Sequence, residues 1–65
     1  EPLREIGFNR RQCRVAAALQ SGASNKQIAR QLGITESTVK YHLTSMYKIA
    51  NVSKRSELSE IINKI

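Results

Sequence analysis

Between Thr35 and Ala50 the apolar residues Val39, Leu43, Met46 and Ala50 recur at steps of four, three and four. At about 100° per residue this spacing gathers them on one side of a helix, with His42 and Ile49 beside the stripe. A helix over 36–50 is predicted, its apolar side forming core. Thr35 is placed to cap it, because its hydroxyl can accept from a free N–H of the first turn, and Glu36 suits the positive end of the helix dipole. The same period upstream predicts a helix over 10–20 that turns Val15, Ala18 and Leu19 inward. Asn9 and Gln12 ahead of it have capping-box spacing, Phe8 is the preceding staple residue, and Gly22 supplies a left-handed stop. Ser24 and Gln27 repeat the capping box before a short helix over 25–32, whose inward residues are Ile28, Ala29 and Leu32. Beyond Ala50, Asn51 is a left-handed cap and Ser53 a start for a last helix over 54–65, with the stripe Leu58, Ile61, Ile62 and Ile65. Residues 1–7, with Pro2 near the start and Gly7 at the end, read as a linker or arm from a missing upstream region, and Leu3 and Ile6 can tuck against the core. No run alternates at period two. The expected fold is all-α, a compact four-helix domain over 8–65.

Two of these helices stand in a special relation. The helices over 25–32 and 36–50 are separated by Gly33, Ile34 and Thr35, a short glycine-containing turn of the helix-turn-helix kind. Gly33 can adopt a positive φ cheaply where the chain reverses. Ala29, four residues earlier, is small where the next helix must cross closely, and Val39, six residues later, fills that crossing. Ile34 plugs the turn.

Composition narrows the class. Sixty-five residues make one small domain, near the lower limit of what a single core can stabilise. A single cysteine excludes an internal disulfide, and Cys13 reads as a small packing residue. There is no Cys/His cluster for a metal, no cofactor motif and no apolar run long enough to span a membrane, so a reducing cytoplasmic setting is expected. Starting at Glu1 rather than Met, the chain is expected to be a piece of something longer. Eleven Lys and Arg against five Glu give a net charge of +6, which suits a polyanionic partner, nucleic acid ahead of an anionic membrane.

The outward face of the 36–50 helix gives that charge a direction. Ser37, Tyr41, Thr44 and Lys48 follow one another at i, i+4, i+7 and i+11, with Lys40 and Ser45 on the flanks. A merely solvated face usually alternates Glu and Lys. Here the groups are short hydroxyls, a phenol and lysines, able to approach base edges and phosphates without like-charge repulsion. Taken alone, the face also fits an ordinary polar surface. A protein-interaction module would call for an exposed apolar stripe beyond the core faces, and the sequence has none. An enzyme would call for paired carboxylates or a nucleophile beside a base, which one histidine and these acids do not supply. Single-strand RNA readers favour exposed aromatics, and only Tyr41 and Tyr47 qualify.

Three stretches then resemble the LuxR/FixJ-type (NarL/GerE-type) DNA-binding domains of bacterial transcription regulators. They are Gly22-Ala23-Ser24-Asn25-Lys26-Gln27-Ile28-Ala29, Leu32-Gly33-Ile34-Thr35-Glu36-Ser37-Thr38-Val39-Lys40-Tyr41-His42, and Val52-Ser53-Lys54-Arg55-Ser56-Glu57-Leu58. The resemblance runs from about Phe8 onward, and the Thr-Val-Lys-x-His run is its most specific part. One segment departs: where the family usually has Leu-Thr-x-Arg-Glu-x-Glu-Val, this chain has Phe8-Asn9-Arg10-Arg11-Gln12-Cys13-Arg14-Val15. Both acids are lost, and Arg14 becomes a spare positive charge. The resemblance implies sequence-specific binding of double-stranded DNA as the output domain of a regulator, with the 36–50 helix in the major groove. It implies base reading by Lys40, Tyr41 and Thr44, and phosphate contacts at or near Ser24, Asn25, Lys26, Thr35, Ser37, Thr38 and Lys48. His42 is similar to a family histidine, though its place on the wheel is beside the core. The resemblance further implies a homodimer on DNA through the last helix, whose edges Ser59, Ile62 and Asn63 are the available surface, and it leaves contact with the transcription machinery open.

Overall fold

The computed structural model describes residues 2–64, folded into five helices: α1 (Pro2–Ile6), α2 (Arg10–Gln20), α3 (Asn25–Leu32), α4 (Glu36–Ala50) and α5 (Arg55–Lys64). There is no strand among the described residues. The last four helices stand where the hydrophobic period places them. α2 packs against each of the others, and α3 and α4 cross on one another as a helix-turn-helix.

The starts of α2 and α3 are built alike. Asn9 Oδ1 accepts from the Gln12 N–H at 2.8 Å while Gln12 Oε1 accepts from the Asn9 N–H at 2.9 Å. Ser24 and Gln27 repeat the exchange at 3.2 and 2.9 Å. α4 begins on a simpler cap, Thr35 Oγ1 accepting from the Thr38 N–H at 3.1 Å.

The ends of α2, α3 and α4 share a second device. Gly22, Gly33 and Asn51 take positive φ of 81°, 68° and 57°. The residue after each donates its N–H back five positions: Ala23 to Ala18 O, Ile34 to Ala29 O, and Val52 to Tyr47 O, at 3.2, 2.9 and 2.9 Å. Each reversal is thus a Schellman closure followed by an apolar residue that returns to the core. Two of the three left-handed residues are glycine, which carries no Cβ penalty there, and asparagine tolerates the region through its short polar side chain.

The core runs through all five helices. Val15, Ile28, Val39, Met46, Leu58 and Ile62 have no exposed surface. α3 packs on α4, and Ala29 and Val39 are both buried. Leu32 and Ile61 lie half-buried at its edge.

Four features differ from the sequence reading. Residues 2–6, expected as part of a linker or arm, form a short helix; proline is pre-set for a helix start, and Leu3 is buried with Ile6 packed behind it. Its exit is Gly7, at φ +115°, where an added Cβ would lie 3.2 Å from Ile49 Cγ2. Ile49, placed beside the core stripe, is 40% exposed, because it sits on the flank of α4. α5 starts at Arg55, and Ser53 does not cap it by accepting; instead Glu57 Oε1 accepts from the Ser53 N–H and hydroxyl at 3.2 and 3.0 Å. Finally, Ile62 is wholly buried, and Gln20 Nε2 donates to its carbonyl at 3.0 Å. Ile62 therefore belongs to the core and offers nothing to a partner surface. Ile65, the last member of the α5 stripe, lies outside the described residues.

Candidate nucleic-acid interface

α4 presents Ser37, Lys40, Tyr41, Thr44 and Lys48 to solvent, and Tyr41 stands out at 70% exposure. The buried stripe on the opposite side of the helix turns these residues outward and anchors the backbone that carries them. Across α3 and α4 four basic side chains, Lys26, Arg30, Lys40 and Lys48, face one acid, Glu36.

Several hydroxyls on this face are already engaged. Thr44 Oγ1 donates to Lys40 O at 3.0 Å, one turn back along its own helix. Its proton is thereby committed, and what it turns outward is a methyl group and oxygen lone pairs. Thr38 Oγ1 lies 2.9 Å from Thr35 Oγ1, so these two hydroxyls share a hydrogen bond at the helix start. Thr38 and Ser45 are half-buried, whereas Ser37 is exposed and makes no such bond.

The start of α3 carries further polar groups. There Ser24 is occupied by its capping box, and Lys26 is exposed. In each helix the first two N–H groups have no partner within the helix: those of Asn25 and Lys26 in α3, and of Glu36 and Ser37 in α4. Two helix starts thus offer open backbone donors at the positive ends of their dipoles.

Asn25 is held by a residue that the periodic reading does not pick out. Arg55 Nη1 donates to Asn25 Oδ1, and Arg55 Nη2 donates to Ala23 O at 2.7 Å. One guanidinium therefore pins the start of α3 to the start of α5, 30 positions along the chain. Its only signal in the sequence is membership of the Val52–Leu58 stretch, which periodicity reads as a helix start.

His42 lies half-buried beside this face, its ring 5.8 Å from that of Tyr41 at an interplanar angle of 61°, an edge-to-face contact. Its pKa is lowered from the ordinary histidine value of 6.5, first by burial and then by the charge of Arg11. It therefore stays neutral at pH 7 and adds no positive charge to the face.

On α5, Ser59 is half-buried and Asn63 exposed. No group of His, Cys, Asp and Glu able to hold a metal occurs among the described residues, and no helix there is long and apolar enough to cross a membrane.

Comparison with known proteins matches residues 7–62 to the family described as bacterial regulatory proteins, luxR family. The chain is 48% identical over 44 residues to the "Monoamine regulon transcriptional regulator" of Klebsiella aerogenes, covering 68% of this chain and 19% of that protein. It is 41% identical over 56 residues to the "Probable transcriptional regulatory protein SgaR" of Hyphomicrobium methylovorum, covering 86% and 26%. With the "Two-component response regulator PprB" of Pseudomonas aeruginosa it shares 39% identity over 49 residues, 75% of this chain and 18% of that one. The chain thus spans about a quarter or less of the length of these curated relatives. No solved structure gives a significant match.

Proposed function

The chain belongs to the luxR family of bacterial regulatory proteins, and from that premise we propose that it binds double-stranded DNA sequence-specifically, with α4 in the major groove. The observation that carries the reading is the outward strip of α4, rich in hydroxyls and lysines, on a helix whose start, like that of α3, offers open backbone donors. In this role Lys40 donates to guanine O6 or N7, and Tyr41 packs on a thymine methyl or donates its hydroxyl. Thr44, its proton committed to Lys40 O, offers its methyl to thymine or its oxygen to a cytosine or adenine amino group. Lys26, Ser37 and Lys48 hold phosphates with their side chains. Ser24, Asn25, Thr35 and Thr38 act through the two helix starts they shape, leaving the backbone N–H groups to meet phosphate oxygens.

The relatives are several times longer, so this unit, α1 included, serves as the cytoplasmic output domain of a longer regulator. Two copies pair on DNA through the outer edge of α5, at the half-buried Ser59 and the exposed Asn63.

The test is the dissociation constant for a duplex selected from a random pool, followed across salt. Because most contacts are to phosphate, affinity should fall by orders of magnitude between roughly 50 and 200 mM salt. A flat response removes the reading.

A further inference from the structure

The α2 segment that departs from the family pattern leaves Arg14 without a task, and the fold shows where it goes. Arg10, Arg11 and Arg14 are all exposed and together line one open hollow of about 360 Å³ on the surface of α2. None has a hydrogen-bond or ion-pair partner among the described residues. Arg14 also borders a neighbouring hollow of about 410 Å³, shared with Gln31 and Leu32 at the end of α3.

For folding alone this is a poor arrangement. Arg10 and Arg11 occupy the first turn of an 11-residue helix, where the dipole is positive and acids are favoured, and this first turn has no acid. Arg14 follows one turn on, where the family pattern carries an acid. Three guanidiniums repel one another and the helix end unless an anion lies among them. Guanidinium forks are matched to the paired oxygens of phosphate and carboxylate, and the planar fork favours bidentate capture.

The position of the hollow selects the anion. Arg11 lies close enough to His42 for its charge to be felt there, and His42 is packed against Tyr41 on the exposed face of α4. α2 packs against α4, and the arginines therefore stand near the reading helix, whose other outward groups are suited to DNA. A polyanion that engages α4 extends past its edge, and a phosphodiester backbone supplies one charge per strand every ~3.4 Å along its axis.

We propose that Arg10, Arg11 and Arg14 form a second phosphate-binding surface, which takes the backbone of the same duplex outside the base pairs that α4 reads. This rests on the DNA-binding reading above. The surface holds without reading: it adds affinity and salt dependence and leaves base preference untouched.

The test uses a duplex selected from a random pool, in a long form with flanking base pairs and a form trimmed to the selected bases. Binding is measured from roughly 50 to 200 mM salt for the unaltered chain, for Arg10→Gln/Arg11→Gln/Arg14→Gln, and for the matching triple Lys variant. Glutamine and lysine keep helix propensity close to that of arginine, and circular dichroism verifies the fold. On the long duplex the Gln variant should lose close to one unit of salt slope for each arginine that touches phosphate. Its affinity should drop at least tenfold at the low-salt end, and the Lys variant should restore most of both. On the trimmed duplex the three proteins should converge, and discrimination against single-base changes should be the same for all.

If the unaltered chain and the Gln variant show the same steep slope on both duplexes, the arginine surface is overturned while DNA binding stands. If the unaltered chain itself shows no salt dependence, both fall. If the Gln variant loses base preference, the arginines act on the posture of α4 and the holding role is wrong.

Discussion

Two basic surfaces meet near His42, and they are built on different principles. On α4 the polar groups include short hydroxyls among the lysines and Tyr41, and two of these hydroxyls are engaged locally, Thr44 with Lys40 O and Thr38 with Thr35. The stripe beneath, including Val39, Leu43 and Met46, is buried almost completely. The threonine rotamers are thus fixed, so this part of the face has a shape of its own before any ligand arrives. On α2 the groups are three long guanidiniums with no internal partner, set in an open hollow. They can follow an anion over several ångströms and impose no pattern on it. A pre-shaped face can discriminate between base pairs, while a mobile charged one can only attract. A charge count, which scores both surfaces alike, misses this division.

The widest separation between the two should appear at Lys40. Lys40→Ala should cost about 1–3 kcal/mol on the selected duplex and relax preference at one or two base positions. Lys26→Ala, at the start of α3, should weaken selected and random duplexes alike and reduce the salt slope by about one unit. Both are read by binding titrations on the selected site and its single-base changes. Should Lys40→Ala weaken every duplex equally, α4 would be a second attracting surface and the distinction would collapse.

A smaller effect is expected where the frame supports the reading side. Arg55 satisfies Asn25 Oδ1 and Ala23 O and so holds the start of α3 against α5. Arg55→Ala should destabilise the domain by about 1–2 kcal/mol, since a charge-assisted pair is lost and two acceptors must turn to water. Thermal melts measure this. Binding should weaken beyond what unfolding explains, because the α3 donors lose their fixed position. Arg55→Lys, which cannot reproduce the fork, should recover little of either. Full recovery with lysine would mean that charge alone, rather than position, matters at this corner.

What could be read in the sequence was whatever is decided within one helical turn or by a strict period. Asn9 with Gln12, Ser24 with Gln27, and the left-handed stops at Gly22, Gly33 and Asn51 are local contracts, and each is kept. The luxR-type helix-turn-helix follows from the same local rules, because Ala29, Gly33 and Val39 stand in register. α1 escaped because five residues are too few to display a period. Ile62 stands at the edge of the α5 stripe, and a wheel does not say how deeply a residue sinks; between α2 and α4, on which α5 packs, it is wholly buried. Arg55 escaped for the opposite reason: its partners lie some 30 residues away, and nothing in a local window joins them. At the candidate interface the exposed positions were legible, but the direction of the Thr44 proton was not. That direction depends on a rotamer, and it changes what the residue can say to a base.

The smallest predicted effect lies where the two surfaces touch. The His42 ring is half-buried, and both its desolvation and the Arg11 charge disfavour the imidazolium, so its folded pKa lies below the unfolded value of about 6.5. Between the two values the unfolded chain binds the proton and the folded one does not, so stability rises with pH across that interval. His42 therefore contributes stability that is fully present above pH ~6.5 and is lost as pH falls through the folded pKa. Denaturant unfolding at pH 7.5 and at successively lower pH should show this slope in the unaltered chain and not in His42→Gln. The Arg11→Gln variant then tells the two causes apart. Removing the guanidinium lifts the repulsion but leaves the burial, so the His42 titration followed by NMR should move part of the way back toward 6.5 and stop short of it. A titration unmoved by Arg11→Gln would show that the charge on α2 does not reach α4. The attracting surface would then have to be placed further from the reading helix than the hollow suggests.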